Sequence, residues 1–188
     1  MMYIIAAAVA ALIIAADQIT KYFVVHNFVM GAGSTPFIKG LINFTYVENE
    51  GGAWGIMQDH TWMLIGFTII MMIICLALLI KNGFKSKLLF MSVTLVLSGG
   101  IGNLIDRISR GSVVDFIQFD FWRSFPIFNI ADIAVCVGAG LLLLYFVLDM
   151  VKDYRAKKSL VDINAETSVA DLENEAIEEN EKIKSDDN

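Results

Sequence analysis

TWMLIGFTIIMMIICLALLI, residues 61–80, runs for twenty residues without a charge. A helix of that length rises about 30 Å, enough to cross the hydrocarbon core of a bilayer while satisfying its own backbone polar groups. Three further stretches meet the same requirement, at roughly 3–25, 88–106 and 127–149. The chain is 56% hydrophobic with a mean hydropathy of +0.63, above the ~45–50% apolar share of soluble domains. The expected fold is an all-α membrane protein of four transmembrane helices.

The formal net charge of −6 misleads as a guide to partners. Residues 159–188 hold ten acidic and two basic side chains, so residues 1–158 are weakly basic. The chain therefore reads as a membrane domain, 1–158, and an acidic tail, 159–188. The tail has no aromatic residue and is expected to be disordered or a loose surface helix. No nucleic-acid partner is expected. Met1-Met-Tyr-Ile-Ile5 lacks a basic n-region, and no small-residue cleavage site follows before Asp17, so the first span is expected to stay attached. Cys75 and Cys136 lie inside apolar runs and read as packing residues, with no disulfide framework or metal cluster.

Lys81, Lys85 and Lys87 crowd the link between spans two and three, and Lys152, Arg155, Lys157 and Lys158 follow span four. The positive-inside rule puts these in the cytoplasm with both termini, and loops 26–60 and 107–126 outside. Leu41-Ile-Asn-Phe-Thr-Tyr-Val47, rich in β-branched and aromatic residues and followed by Gly51-Gly52, predicts a small extracytoplasmic β-element in the first outer loop.

Ionisable groups within or bordering a span cost several kcal/mol unless partnered, so each is a functional candidate. Asp17 and Lys21 stand at i, i+4 near the outer end of span one, with Gln18 beside them; an ion pair there either fixes the span or meets a ligand. Asn49-Glu-Gly-Gly-Ala-Trp-Gly55 is either a turn or a loop whose glycines admit a bound chain, with Trp54 suited to the interfacial zone. Ser98 and Gly102 have the spacing for close helix approach. Asn103, Asp106 and Arg107 share a helix face, where Arg107 either pairs with Asp106 or serves a ligand. Asp115 belongs to the return loop, and Asp132 with Asn129 opens span four, as helix cap or functional acid.

Two carboxylates close together in a low-dielectric setting cannot both ionise easily, so they hold one proton between them and can activate water against an amide. Other hydrolytic schemes lack parts. There is no HExxH, His26 and His60 accompany no nucleophile motif, and the lysines a Ser98 dyad would need lie at the opposite membrane face or, as Lys21, beside Asp17. The rival reading is a small carrier with Asp115 and Asp132 as a proton relay.

Asp17-Gln-Ile-Thr-Lys21, Asn49-Glu-Gly-Gly-Ala-Trp54, Gly99-Gly-Ile-Gly-Asn-Leu-Ile-Asp-Arg107, Gly111-Ser-Val-Val-Asp-Phe116 and Phe128-Asn-Ile-Ala-Asp132, taken in order, resemble the bacterial lipoprotein signal peptidase (signal peptidase II) family. The resemblance covers residues 1 to about 155 and departs at Gly52, Ala53 and Trp54. It implies an aspartic endopeptidase of the bacterial cytoplasmic membrane, cutting diacylglyceryl-modified prolipoproteins just before the lipidated cysteine, with no cofactor or metal. It implies Asp115 and Asp132 as the catalytic dyad, and Asn49, Asn103, Arg107 and Asn129 as the polar lining that meets substrate or globomycin-type inhibitors. Asp17, Lys21 and Asp106 are then structural support, the enzyme a monomer, and the other contacts membrane phospholipid.

Overall fold

The computed structural model describes residues 2–52, 56, 58, 60–81 and 86–186, with side chains described through Val161. Ala53, Trp54 and Lys85 lie outside the described residues. The elements are α1 (Met2–Asn27), β1 (Thr35–Ile38), β2 (Ile42–Asn49), α2 (Thr61–Lys81), α3 (Lys87–Arg110), β3 (Val113–Phe119) and α4 (Ile130–Asp186). Four of these, α4 counted over Ile130–Val161, are long and apolar enough to cross a membrane. The chain divides into two units between Leu143 and Leu144. The second holds the remainder of α4.

The helices are built inside out. α1 buries Ala6, Asp17, Lys21 and Val24, while Ile4, Leu12, Ile19 and Phe23 face outward. In α2 only Ile65, Cys75 and Leu79 are buried, against exposed Trp62, Phe67, Ile70, Ile73 and Ile80. Such surfaces suit lipid, where apolar side chains lose nothing by exposure and polar ones must find partners. α3 is the central helix, with buried side chains recurring from Leu89 to Asp106. Ser86 caps its start by accepting from the Leu89 N–H, and Gly111, at φ 83°, ends it by donating to the Arg107 carbonyl.

In lipid, close packing takes over from the hydrophobic effect in joining helices. A Cβ on Gly99 would collide with the Ala131 carbonyl oxygen, one on Gly102 would stand 2.7 Å from Asp17 Oδ2, and one on Gly138 would stand 2.8 Å from the Ser92 carbonyl oxygen. These glycines bring α1 and the start of α4 against α3. The sequence assigned close approach to Ser98 and Gly102; Ser98 is buried, but its hydroxyl turns back to the Leu95 carbonyl, and Gly99 makes the contact.

The three strands form one antiparallel sheet in the order β1-β2-β3. The expected β-element of the first loop is present, but its partner β3 comes from the second loop, which the sequence reading left without structure. Tyr46, Val114, Phe116 and Ile117 form a small core with Val24 of α1, tying the sheet to that helix. Phe44 pairs with Ile117 and Val47 with Asp115, so β2 spends one extra residue as a bulge between them. Phe128 exchanges backbone hydrogen bonds with Ile117, which holds residues 127–129 extended beside β3 and delays α4 to Ile130, three residues after the expected start.

Candidate active site

Asp115 sits in the middle of β3 and is 3% exposed. Because Val47 pairs with Asp115 and Asn49 with Val113, Asn49 is the diagonal neighbour of Asp115 on the same sheet face. Its Nδ2 donates to Asp115 Oδ2 at 2.9 Å, and its Oδ1 accepts from the Gly51 N–H at 3.0 Å. The other carboxylate oxygen accepts from Asn129 Nδ2 at 2.7 Å.

Asp132 lies in the first turn of α4. Its Oδ2 accepts from the Asn129 N–H at 3.1 Å while Asn129 Oδ1 accepts from the Asp132 N–H at 2.8 Å. This is a reciprocal capping box, which fixes both side chains against the helix end. The capping reading of Asp132 therefore holds, and its second oxygen still accepts from Asn103 Nδ2 at 2.7 Å.

Asn129 Nδ2 also reaches Asn103 Oδ1 at 3.1 Å, so a continuous chain of amides joins Asp115 to Asp132. Behind it lies a buried ionic cluster. Lys21 Nζ is 2.9 Å from Asp17 Oδ2, 3.0 Å from Asp106 Oδ2 and 3.0 Å from Asn103 Oδ1. Asp17 Oδ1 accepts from the Ala131 N–H and Asp106 Oδ2 from the Val114 N–H, so the cluster clamps α4 and β3 as well as α1 and α3. Gln18 Nε2 donates to Asp17, Asp106 and the Gly102 carbonyl. Gln18 was legible as a polar neighbour of the pair, but nothing in the sequence showed that it touches both acids.

A cleft of about 450 Å³ opens in front of this network. Asn49, Asn103, Arg107, Asp115 and Asp132 line it, facing a wall that includes Phe119, Phe125, Phe128, Ile133 and Val137. Asp17, Lys21 and Asp106 stand behind it. Asn129, expected in the lining, is fully buried and positions both carboxylates from behind. Arg107 does not pair with Asp106, which Lys21 occupies; its Nη2 approaches the Gly51 carbonyl at 3.4 Å, and its Nε is buried without a partner among the described residues. The sequence reading missed the aromatic wall, although six aromatic residues between 116 and 128 were a usable signal. A second cleft of about 400 Å³ adjoins the first at Asn49 and Asp115, with Glu48, Glu50, Gln58 and Ser124 along it.

Burial pushes the Asp115 carboxyl up to about 7, and the charge of Asp132 adds to the rise; the hydrogen bonds from Asn49 and Asn129 and the charge of Lys21 hold it back. Such a group exchanges a proton near neutrality. The arrangement can thus hold a proton between two fixed carboxyls and present both to a bound amide.

Residues 9–148 match the family described as signal peptidase (SPase) II. The chain is 42% identical over 142 residues to the lipoprotein signal peptidase of Bacillus pumilus, covering 75% of this chain and 91% of that one. It is 42% identical over 141 residues to the lipoprotein signal peptidase of Brevibacillus brevis, covering 75% and 93%. Two solved structures described as bacterial membrane enzymes share its fold at 32% identity. One has a TM-score of 0.71 over 77% of this chain and 88% of that one; the other has 0.68 over 75% and 91%.

Proposed function

The chain belongs to the signal peptidase II family, a family of membrane proteases, and from that premise we propose that it is an aspartic endopeptidase releasing signal peptides from lipid-modified prolipoproteins. The observation that carries this reading is the amide chain holding Asp115 and Asp132 at one cleft. Together they hold one proton. The ionised carboxylate removes a proton from the attacking water, and the protonated carboxyl donates to the scissile carbonyl oxygen as the tetrahedral intermediate forms. Their roles reverse when the leaving amine takes its proton. Neither carboxyl needs a metal or cofactor for this exchange.

Asn49 and Arg107 offer hydrogen-bonding groups beside the dyad, where an extended peptide backbone can be held. The wall of Phe119, Phe125, Ile133 and Val137 suits the apolar part of the substrate, a signal segment or the acyl chains of a diacylglyceryl cysteine. A lipid-anchored cysteine stays at the outer leaflet, and the positive-inside distribution supports a cleft at that face of a bacterial cytoplasmic membrane, with both ends of the chain and the acidic tail in the cytoplasm. Family membership disfavours the carrier reading.

Incubating the purified protein, a monomer in this reading, with a lipidated prolipoprotein in phospholipid tests the proposal by the size shift on cleavage. Asp115→Asn and Asp132→Asn should each lower the rate at least about a hundredfold, and globomycin should compete with substrate. Full cleavage by either variant would refute the dyad.

A further inference from the structure

We infer that Lys21 is a positioning residue for the reaction, its ammonium fixing the amide orientation of Asn103 and so making the Asn103 N–H a donor to Asp132. The inference rests on the dyad reading above and deepens it, since the same cluster could serve as a brace for the helices and nothing more.

An asparagine amide can face either way, and its neighbours decide which. Asn129 has no choice: its Oδ1 accepts from the Asp132 backbone N–H, which can only donate, so its Nδ2 turns toward Asp115. For Asn103 the deciding groups are Lys21 Nζ at 3.0 Å and Asn129 Nδ2 at 3.1 Å. Both are donors and both meet Asn103 Oδ1, which leaves Nδ2 to Asp132 at 2.7 Å. The lysine has three hydrogens, directed to Asp17, Asp106 and Asn103, so none is spare.

As a result, each of the four oxygens of Asp115 and Asp132 accepts one N–H from the scaffold, from Asn49, Asn129, Asn103 and the Asn129 backbone. The charged and titratable groups that bear on this arrangement are Asp17 on α1, Asp106 and Arg107 on α3, Asp115 on β3 and Asp132 on α4. Without the ammonium only Asn129 Nδ2 holds Asn103 Oδ1, and that amide has the Val114 carbonyl at 3.4 Å as another acceptor. The barrier to turning Asn103 therefore falls, and a turned Asn103 presents its oxygen to Asp132, a contact that only a protonated carboxyl satisfies. The Lys21 charge also helps hold the Asp115 carboxyl down.

The test compares Lys21→Met, Lys21→Met with Asp106→Asn to rebalance the cluster, and Lys21→Arg. Melting temperature, kcat, KM and the pH–rate profile on a lipidated prolipopeptide are measured for each. In whichever neutral variant folds, kcat should fall about ten- to a hundredfold with KM within about threefold, and the acid limb should move to higher pH. Lys21→Arg, which keeps charge and donors, should recover much of kcat. A folded neutral variant with wild-type kcat and pH profile would overturn the inference.

If neither neutral variant folds, Asn103→Asp decides. A carboxylate there still accepts from Lys21 and Asn129 but cannot donate to Asp132, so kcat should fall at pH 7 and partly return as acid protonates residue 103. Wild-type kcat at pH 7 in that variant would sink the inference. Asp115→Asn runs alongside: cleavage by that variant refutes the dyad itself, whereas its inactivity combined with a wild-type neutral Lys21 variant refutes only the role given to Lys21.

Discussion

Replacing Asp115 by asparagine should make the protein less active and, relative to wild type, progressively more stable as pH rises. An ordinary aspartate titrates near 3.8, and Asp115 is pushed up to about 7, chiefly by burial and then by the charge of Asp132. A carboxyl whose folded value lies above its unfolded one contributes stability that is full below pH 4. That contribution is lost as pH climbs through the folded value, because the unfolded chain releases the proton first. At about 1.4 kcal/mol per pH unit, the interval sets a ceiling of roughly 4 kcal/mol, and about 2–4 kcal/mol is expected once neighbouring groups adjust.

The asparagine cannot ionise and lacks this loss. Its NH₂ will face a donor from Asn49 or Asn129, at a cost of about 1–3 kcal/mol, but that cost is independent of pH and only offsets the curve. Thermal unfolding of both proteins in the same micelle between pH 4 and 8 gives the comparison. At about 2–4 °C per kcal/mol for a chain of this size, the difference in Tm should shift in favour of Asp115→Asn by roughly 5–15 °C across the range. Parallel curves would refute the claim that a destabilising buried carboxyl is maintained at this position.

Arg107→Ala should raise KM about tenfold with little change in Tm. Among the described residues the side chain makes one long hydrogen bond, to the Gly51 carbonyl, and has a buried Nε without a partner, so its loss removes a donor that substrate can use; a fall in Tm without a change in KM would make it a packing residue instead. Gly102→Ala should destabilise the fold by about 1–3 kcal/mol, because its Cβ would press on Asp17 Oδ2 at 2.7 Å and on the Ala131 side chain at 3.1 Å. An unchanged Tm for that variant would show that α1 and α3 can part without disturbing the cluster.

Sequence alone located the four spans, and the cost of charges inside apolar runs singled out the Asp17–Lys21 pair and Asp132; Asp115, in a loop, stood out only through its pairing with Asp132 and the family resemblance. It could also have rejected an Asp106–Arg107 pair. Adjacent helical residues point about 100° apart, which argues against that pair, whereas the contact of Asp106 with Lys21 emerges only from the packing of α1 on α3. β3 was harder to see. Val113 to Ile117 are buried on both faces, so the strand lacks the apolar–polar alternation that betrays a half-exposed one. The bulge in β2 lay beyond local reading altogether, since it exists only in the pairing of two strands. Yet it settles which side chain meets Asp115. Continued from Phe44 opposite Ile117 without the extra residue, the alternation would bring Glu48 to the face of Asp115. With it, Asn49 arrives there, while Glu48 turns to the other face and accepts from Tyr46 and Ser112. A third carboxylate beside Asp115 and Asp132 would oppose ionisation of either, whereas an amide N–H supports it. One inserted residue, through the strict period of two in a strand, thus converts the neighbour of Asp115 from a competitor for its proton into a donor that steadies its charge.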